Sequence, residues 1–245
     1  MKKTTFFSRR EILGALSRVT LGLWAWSLIR IPRTEALGAT EKEMIMELPK
    51  ARTTGTMPVE KAIDERRTVR SFRTDAMTIE QLAQLLWAAQ GITGRRGLRA
   101  APSAGALYPM DVYAVIGADS VAGMDAGVYR YIPADHSLSL STGGDMRRAL
   151  ARASLGQMWM AVAPVNFVIT AEYARVCGKY GDRGVRYAMI EAGHVGTNIF
   201  LQAEAIGLGA GIVGAFRDRE VAEVMNIPGA HEPLLIMPVG SKSDI

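Results

Sequence analysis

The 245-residue sequence has one cysteine, Cys177, so no internal disulfide can staple the chain. Its three histidines, His136, His194 and His231, are scattered around that single thiol without zinc-ligand spacing, and no metal site is expected. There is no Gly-X-Y period, no heptad run and no internal repeat, which excludes collagen-like, coiled-coil and solenoid architectures. With 49% hydrophobic and 22% charged residues, the composition is that of a globular chain able to bury a core. An excess of charge is also missing from most of the protein. The chain holds 29 bases and 24 acids, but residues 1–39 carry seven of the bases and two of the acids, so 22 of each remain beyond them. A neutral body lacks the phosphate-neutralising field that nucleic-acid binding needs, and no nucleic-acid partner is expected.

The basic residues at the start have their own pattern. A positive segment precedes an apolar stretch from Ile12 to Ile29, and small residues follow at Ala36-Leu37-Gly38-Ala39. Arg18 near the middle of that stretch would cost about 2.5–3.5 kcal/mol in a membrane-spanning helix, which disfavours a spanning anchor. Ser8-Arg9-Arg10-Glu11-Ile12-Leu13 resembles the twin-arginine export motif. That resemblance implies a signal over 1–39, engagement of the twin-arginine export machinery and a periplasmic or otherwise exported protein, membrane-attached if the signal stays on. Because that pathway exports folded proteins, it also suggests a bound cofactor.

From Thr40 to Met57 the chain reads as a polar linker or arm, and 58–245 as the folded domain. Pro58 at the first helical position starts a helix over Val59–Arg66. A second is expected from the Thr78 cap to Gly91, with Ile79, Leu82, Leu85, Leu86 and Ala89 at helical spacing and Trp87 as a core residue. Gly91 to Pro109 is a long Gly-, Pro- and Arg-rich loop, of the kind that carries function. The runs DVYAVIG, GVYRYI and SLSLS read as an antiparallel meander. Helix is expected at Asp145–Ala153, strand at Val165–Thr170, and a long helix from about Arg183 to Ile206. GAGIVGAF reads as a buried strand or turn, Asp218 caps a helix to Met225, and PLLIMPVG closes the chain as a strand. The mixed order without βαβ alternation makes the fold class α+β.

Gly209-Ala210-Gly211-Ile212-Val213-Gly214 fits the dinucleotide pattern GxGxxG but follows a helix instead of opening one, so no Rossmann site is inferred. Its glycines read as a helix C-cap followed by a close backbone approach. Two other clusters stand out. Arg66-Arg67-Thr68-Val69-Arg70 sets three guanidinium forks and a hydroxyl just after a helix, a donor set suited to phosphate. Pro102-Ser103-Ala104-Gly105-Ala106-Leu107-Tyr108-Pro109 is a stiff loop of small residues whose backbone can lie against a planar ligand.

In order, RRTVRSF, PSAGALYP, the stretch from Lys179 to Phe216 and the closing LLIMPVG resemble the nitroreductase superfamily, most closely its SagB-type dehydrogenase branch. The resemblance spans about Pro58 to Gly240. It implies a central, mostly antiparallel sheet flanked by helices, a long central helix, and an entwined homodimer holding flavin mononucleotide at the interface. By matching positions, Arg66, Arg67, Thr68 and Arg70 would hold the phosphate and ribityl chain, with Lys242 as a late phosphate partner. Pro102, Ser103 and Ala104 would reach over from the other subunit. Ile212, Val213 and Gly214 would lie against the reactive ring edge, Val213 or Gly214 offering an N–H. General nitroreductases often have Asn where this chain has Ala106, a departure favouring the SagB-type branch.

Lys179-Tyr180 resembles the pair associated with azoline-oxidising members of that branch. An ammonium beside a phenol favours the phenolate, which could take a substrate proton during dehydrogenation. The resemblance implies an oxidoreductase moving hydride or electrons between flavin and a small or peptide-derived substrate. An azoline oxidase of peptide modification, or a flavin-binding module without turnover, are its alternatives. Glu191 and His194, at i and i+3 on the long helix, read as a packing or dimer-interface pair, and Cys177 is given no role.

Overall fold

A computed structural model of the chain describes residues 45–243. The expected export signal lies outside the described residues. Along the chain run β1 (Ile45–Glu47), α1 (Val59–Glu65), α2 (Ile79–Gln90), β2 (Met110–Ile116), β3 (Gly127–Ile132), β4 (Ser137–Gly143) and α3 (Arg147–Ala153). There follow β5 (Val165–Ala171), α4 (Ala174–Tyr180), α5 (Arg183–Ala205), β6 (Gly209–Ala210), α6 (Asp218–Met225) and β7 (Glu232–Gly240). The α+β class and the long helix are as the sequence predicts.

Local chemistry sets the boundaries. Thr78 and Gln81 form a reciprocal capping box at the start of α2: the Thr78 hydroxyl accepts from the Gln81 N–H at 3.2 Å, and Gln81 Oε1 accepts from the Thr78 N–H at 2.9 Å. Pro58 precedes the first turn of α1 as its extended N-cap, one position earlier than expected. Asp145 stays outside α3, where its carboxylate accepts from the N–H groups of Ala118 and Arg147. Asp218 is the first residue of α6 instead of its cap, a place where a carboxylate still favours the helix dipole. Within the expected linker, Ile45–Glu47 pair with Ser137–Ser139.

The sheet order is β1-β4-β3-β2-β5-β7-β6, and each pairing between these strands is antiparallel. β2 and β5 are buried along their whole length, so both sheet faces are covered. The strand period of two then sorts their side chains. Val112, Ala114, Phe167 and Ile169 pack with α2 and α5, whereas Tyr113, Val115 and Val168 face α3 and α6. α5 is thereby pinned between the sheet and α2. On its outer side Met189 and Ile190 are 54% and 50% exposed. No described helix is long and apolar enough to cross a membrane.

Candidate functional site

The arginine cluster leaves α1 as an extended segment beside β6. The Val69 N–H donates to the Ala210 carbonyl at 2.8 Å, the Arg73 N–H to Ser241 at 3.0 Å, and the Ser243 N–H to Ser71 at 3.2 Å. This contact requires Gly209 and Gly211. A Cβ on Gly211 would stand 2.6 Å from the Val69 carbonyl oxygen, and one on Gly209 2.8 Å from Val69 Cγ2. The close backbone approach read from the glycines is therefore an approach to the arginine segment.

Its cations are not equivalent. Arg67 Nη1 turns back onto the carbonyls of Asp64, at 2.6 Å, and Arg66, at 2.8 Å, and so caps the end of α1. Arg66 lies over the Phe200 ring at 5.5 Å, and neither Arg66 nor Arg70 pairs with an acid among the described residues. Lys242 Nζ is held at 2.6 Å by Glu204 Oε1, whose side chain is 8% exposed. Lys242 is thus a neutralised cation in this arrangement. The Val213 N–H donates to the Ile236 carbonyl at 2.8 Å and is engaged by the sheet, whereas Gly214 beside it is exposed.

The loop carrying Pro102–Ala104 is fixed from several sides. The Ser103 hydroxyl accepts from the Tyr108 N–H at 2.9 Å, the Tyr108 hydroxyl from the Arg99 N–H at 3.0 Å, and the Arg99 guanidinium lies 4.6 Å from the Tyr108 ring centre. Gly105, Ala106 and Tyr108 adopt left-handed backbone at φ 63°, 54° and 49°. For the alanine and tyrosine this is a strained choice that neighbouring contacts must hold. His194 Nδ1 is 3.2 Å from the Pro102 carbonyl, and the Glu191 carboxyl and Ser103 line one cavity and interact through their side chains. Glu191 and His194 therefore support this loop. The sequence spacing showed their shared face but not what it carries.

Lys179 and Tyr180 reach the same loop from the end of α4, a helix absent from the sequence reading. A Cβ on Gly105 would meet Tyr180 Oη at 2.7 Å and Lys179 Nζ at 3.1 Å. Tyr180 packs edge-on against Tyr187 at 5.1 Å, and Lys179 Nζ is 5.3 Å from the Tyr180 ring centre. α4 is anchored by Arg175, whose guanidinium meets Asp111 Oδ2 at 2.8 Å, Glu172 Oε2 at 2.5 Å and the Tyr108 carbonyl at 3.3 Å. One cation thus joins α4 to the loop.

His231 Nε2 lies 3.7 Å from those same two carboxylate oxygens. Asp111, Glu172 and His231 come close enough together to suggest a metal triad, but the Arg175 guanidinium already stands between the carboxylates. Burial holds the His231 pKa below its ordinary value and pushes the Tyr113 hydroxyl up to about 12. The protonated Tyr113 therefore donates to Nδ1 of a neutral imidazole at 2.9 Å, placing the ring proton on Nε2 toward the carboxylates. Sequence reasoning missed Asp111 and Arg175; the Glu172-Arg175 spacing of i, i+3 was the available signal.

The two halves of the expected cofactor site lie apart on one chain. Glu191 and His194 contact the loop, whereas Phe200 and Glu204 contact the arginine and lysine side. From Glu191 to Phe200 is about 13 Å along α5 at 1.5 Å per residue.

Residues 63–241 match the family model described as the Nitroreductase family. A protein of Methanocaldococcus jannaschii that carries a nitroreductase name is 42% identical over 184 residues, covering 75% of this chain and 91% of its own. A solved structure from Ralstonia eutropha, also described as a nitroreductase, superposes with a TM-score of 0.72 at 30% identity, over 82% of this chain and 90% of its own. The microcin B17-processing protein McbC of Escherichia coli is 31% identical over 159 residues, 58% of this chain and 54% of that protein. Sequence match and superposed fold agree: the chain belongs to the nitroreductase family, with a nitroreductase-like fold and the character of an oxidoreductase.

Proposed function

We propose that the protein is an exported, flavin mononucleotide-dependent dehydrogenase of the SagB type, working as a homodimer on a small substrate. The observation that carries this reading is the convergence of Lys179 Nζ and Tyr180 Oη on Gly105, in the loop that also carries Pro102–Ala104. The residues present fit a flavin phosphate: among the described residues Arg66 and Arg70 are cations without an acidic partner, and the Thr68 hydroxyl lies between them in the chain. Such a fork set is the chemistry that recognises a phosphate dianion. The exposed Met189 and Ile190, together with the separation of the two half-sites, fit a second subunit that brings its own loop to this chain's arginines. Export is supported by the Ser8–Leu13 motif and by the confinement of the net charge to residues 1–39.

Bound flavin would supply the two-electron acceptor for oxidation of the substrate, and a quinone or redox protein would take those electrons on. The chain's own part is geometric and protic. Arg66, Thr68 and Arg70 hold the phosphate, Gly214 offers its N–H to the ring edge, and Pro102–Ala104 orient the ring. Tyr180 Oη takes the substrate proton released on oxidation, with the Lys179 ammonium beside it to carry the compensating charge.

The first test is the absorbance spectrum of the purified protein, with the released chromophore identified by mass. Flavin mononucleotide near one per subunit is expected; a colourless protein that takes up no added flavin would overturn the reading. Arg70→Ala removes charge-assisted hydrogen bonds worth about 1.5–3 kcal/mol, so flavin should dissociate roughly 10- to 100-fold more readily in an equilibrium dialysis. Tyr180→Phe should retain flavin but lose about 100-fold in kcat, the contribution of one positioned acid–base group. The placement of Lys179-Tyr180 and the likeness to McbC favour a second reading, oxidation of azoline-containing peptides. Turnover of a synthetic azoline peptide, and none of simple carbon–hydrogen donors, would select it.

A further inference from the structure

Glu191 is 2% exposed in the middle of α5. Its surroundings determine where a proton can sit. Arg99 Nη1 donates to Gln90 Oε1 at 3.2 Å, which fixes the Gln90 amide with its NH2 toward Glu191 Oε1, 3.4 Å away. Oε1 is therefore an acceptor. Oε2 makes no hydrogen bond of good geometry among the described residues, although the Ser103 hydroxyl lies close enough to act on the carboxyl. Glu191 itself lines a cavity of about 220 Å³ together with Pro102, Ser103, Ala104, Tyr187, Ile190 and His194. A buried carboxylate oxygen without a good donor is costly, and a neutral carboxylic acid with its O–H on that oxygen costs less because it has no charge to desolvate.

Resting on the flavin reading above, we propose that Glu191 works as a neutral carboxylic acid, a positioning residue that holds the Pro102–Ala104 loop and presents an O–H donor to the cavity. The groups facing it are Gln90 from α2, Arg99 and Ser103 from the loop, and Tyr187 and His194 from α5 itself. Burial raises the Glu191 pKa; Ser103, Gln90, Arg99 and His194 oppose the rise without cancelling it. His194 is the second anchor of the loop, through the Pro102 carbonyl. The same loop is the one that Tyr180 and Lys179 touch at Gly105, so its position governs both the ring contact and the proton-handling pair.

The experiment compares Glu191→Gln with Glu191→Ala in the full chain by two readouts. In flavin retention, the neutral isostere should hold flavin within about twofold of the wild type, while alanine should weaken it about tenfold or more. In thermal unfolding the sign follows from the raised pKa. The acid contributes stability that is fully present below its ordinary value of 4.5 and is lost as pH rises through the folded-state value. The wild type should therefore lose Tm relative to Glu191→Gln as pH is raised from 4 to 9. Flavin loss in Glu191→Gln equal to that in Glu191→Ala would mean that the anion is required, and would overturn the proposal. So would undiminished retention in Glu191→Ala, or a Tm difference that does not change with pH. A wild type without flavin would overturn the proposed function instead, and the thermal series would then decide the protonation state alone.

Discussion

Arg175→Ala is expected to lose about 3 kcal/mol of folding stability, read as a lower midpoint in urea unfolding. Removing one member of a buried ion pair typically costs about 3–5 kcal/mol, because the remaining charge is left desolvated. Asp111 is that remaining charge, with 9% of its side chain exposed and Glu172 beside it. Arg130, at 3.4 Å from Asp111 Oδ1, retains part of the compensation and places the loss at the lower end. Arg175→Lys should recover only part, since an ammonium cannot span two carboxylates and the Tyr108 carbonyl as a planar fork does. The deficit should also depend on pH. Burial lowers the His231 pKa first of all, and the nearby arginine charges lower it further. Without Arg175, the two carboxylates draw a proton onto His231 at higher pH, so the folded-state value rises. That gain is present at low pH and lost as pH climbs through the raised value. The deficit of Arg175→Ala should therefore be larger at pH 8 than at pH 5.

Gly211→Ala is the second large effect. The added methyl would lie 2.6 Å from the Val69 carbonyl oxygen and 2.9 Å from the Trp159 ring, so backbone must move. Overpacking of this kind costs about 1–3 kcal/mol. Here the segment forced away is the one carrying Thr68 and Arg70, and its register depends on the Val69 to Ala210 hydrogen bond. Flavin retention should fall along with the unfolding midpoint, whereas an alanine at the exposed Gly214, where nothing lies within 4 Å, should leave the midpoint unchanged. Equal midpoints for both variants would contradict the close approach.

Local signals made much of this structure legible. The capping pair Thr78 and Gln81, the alternation in DVYAVIG and the long period of α5 each encode an element within their own residues. α4 escaped because its seven residues include a glycine and offer no apolar stripe. It exists through Arg175 and its distant partner Asp111, 64 positions earlier in the sequence. Ile45–Glu47 escaped for a related reason, since a three-residue edge strand is defined by β4 and not by its own pattern. In the candidate site, arginine clustering and glycine spacing singled out two segments that the fold joins through the Val69 to Ala210 hydrogen bond, but the role of each cation did not follow. Only the folded chain shows Arg67 capping α1 and Lys242 already neutralised by Glu204. Trp87, expected in the core, is half-buried and lines a cavity of about 490 Å³ between α1, α2 and α5.

α5 also constrains how this sequence can drift. It is a single continuous helix that sets the spacing between the loop side of the site and the arginine side. A residue inserted or deleted between Glu191 and Phe200 would shift one side by about 1.5 Å and rotate it by about 100° relative to the other. No rotamer change absorbs that rotation, because both flanks are buried against the sheet and α2. Length variation should therefore accumulate in surface connections such as the turns at 117–126 and 133–136, while the interval within α5 remains fixed in residue number even as its side chains change.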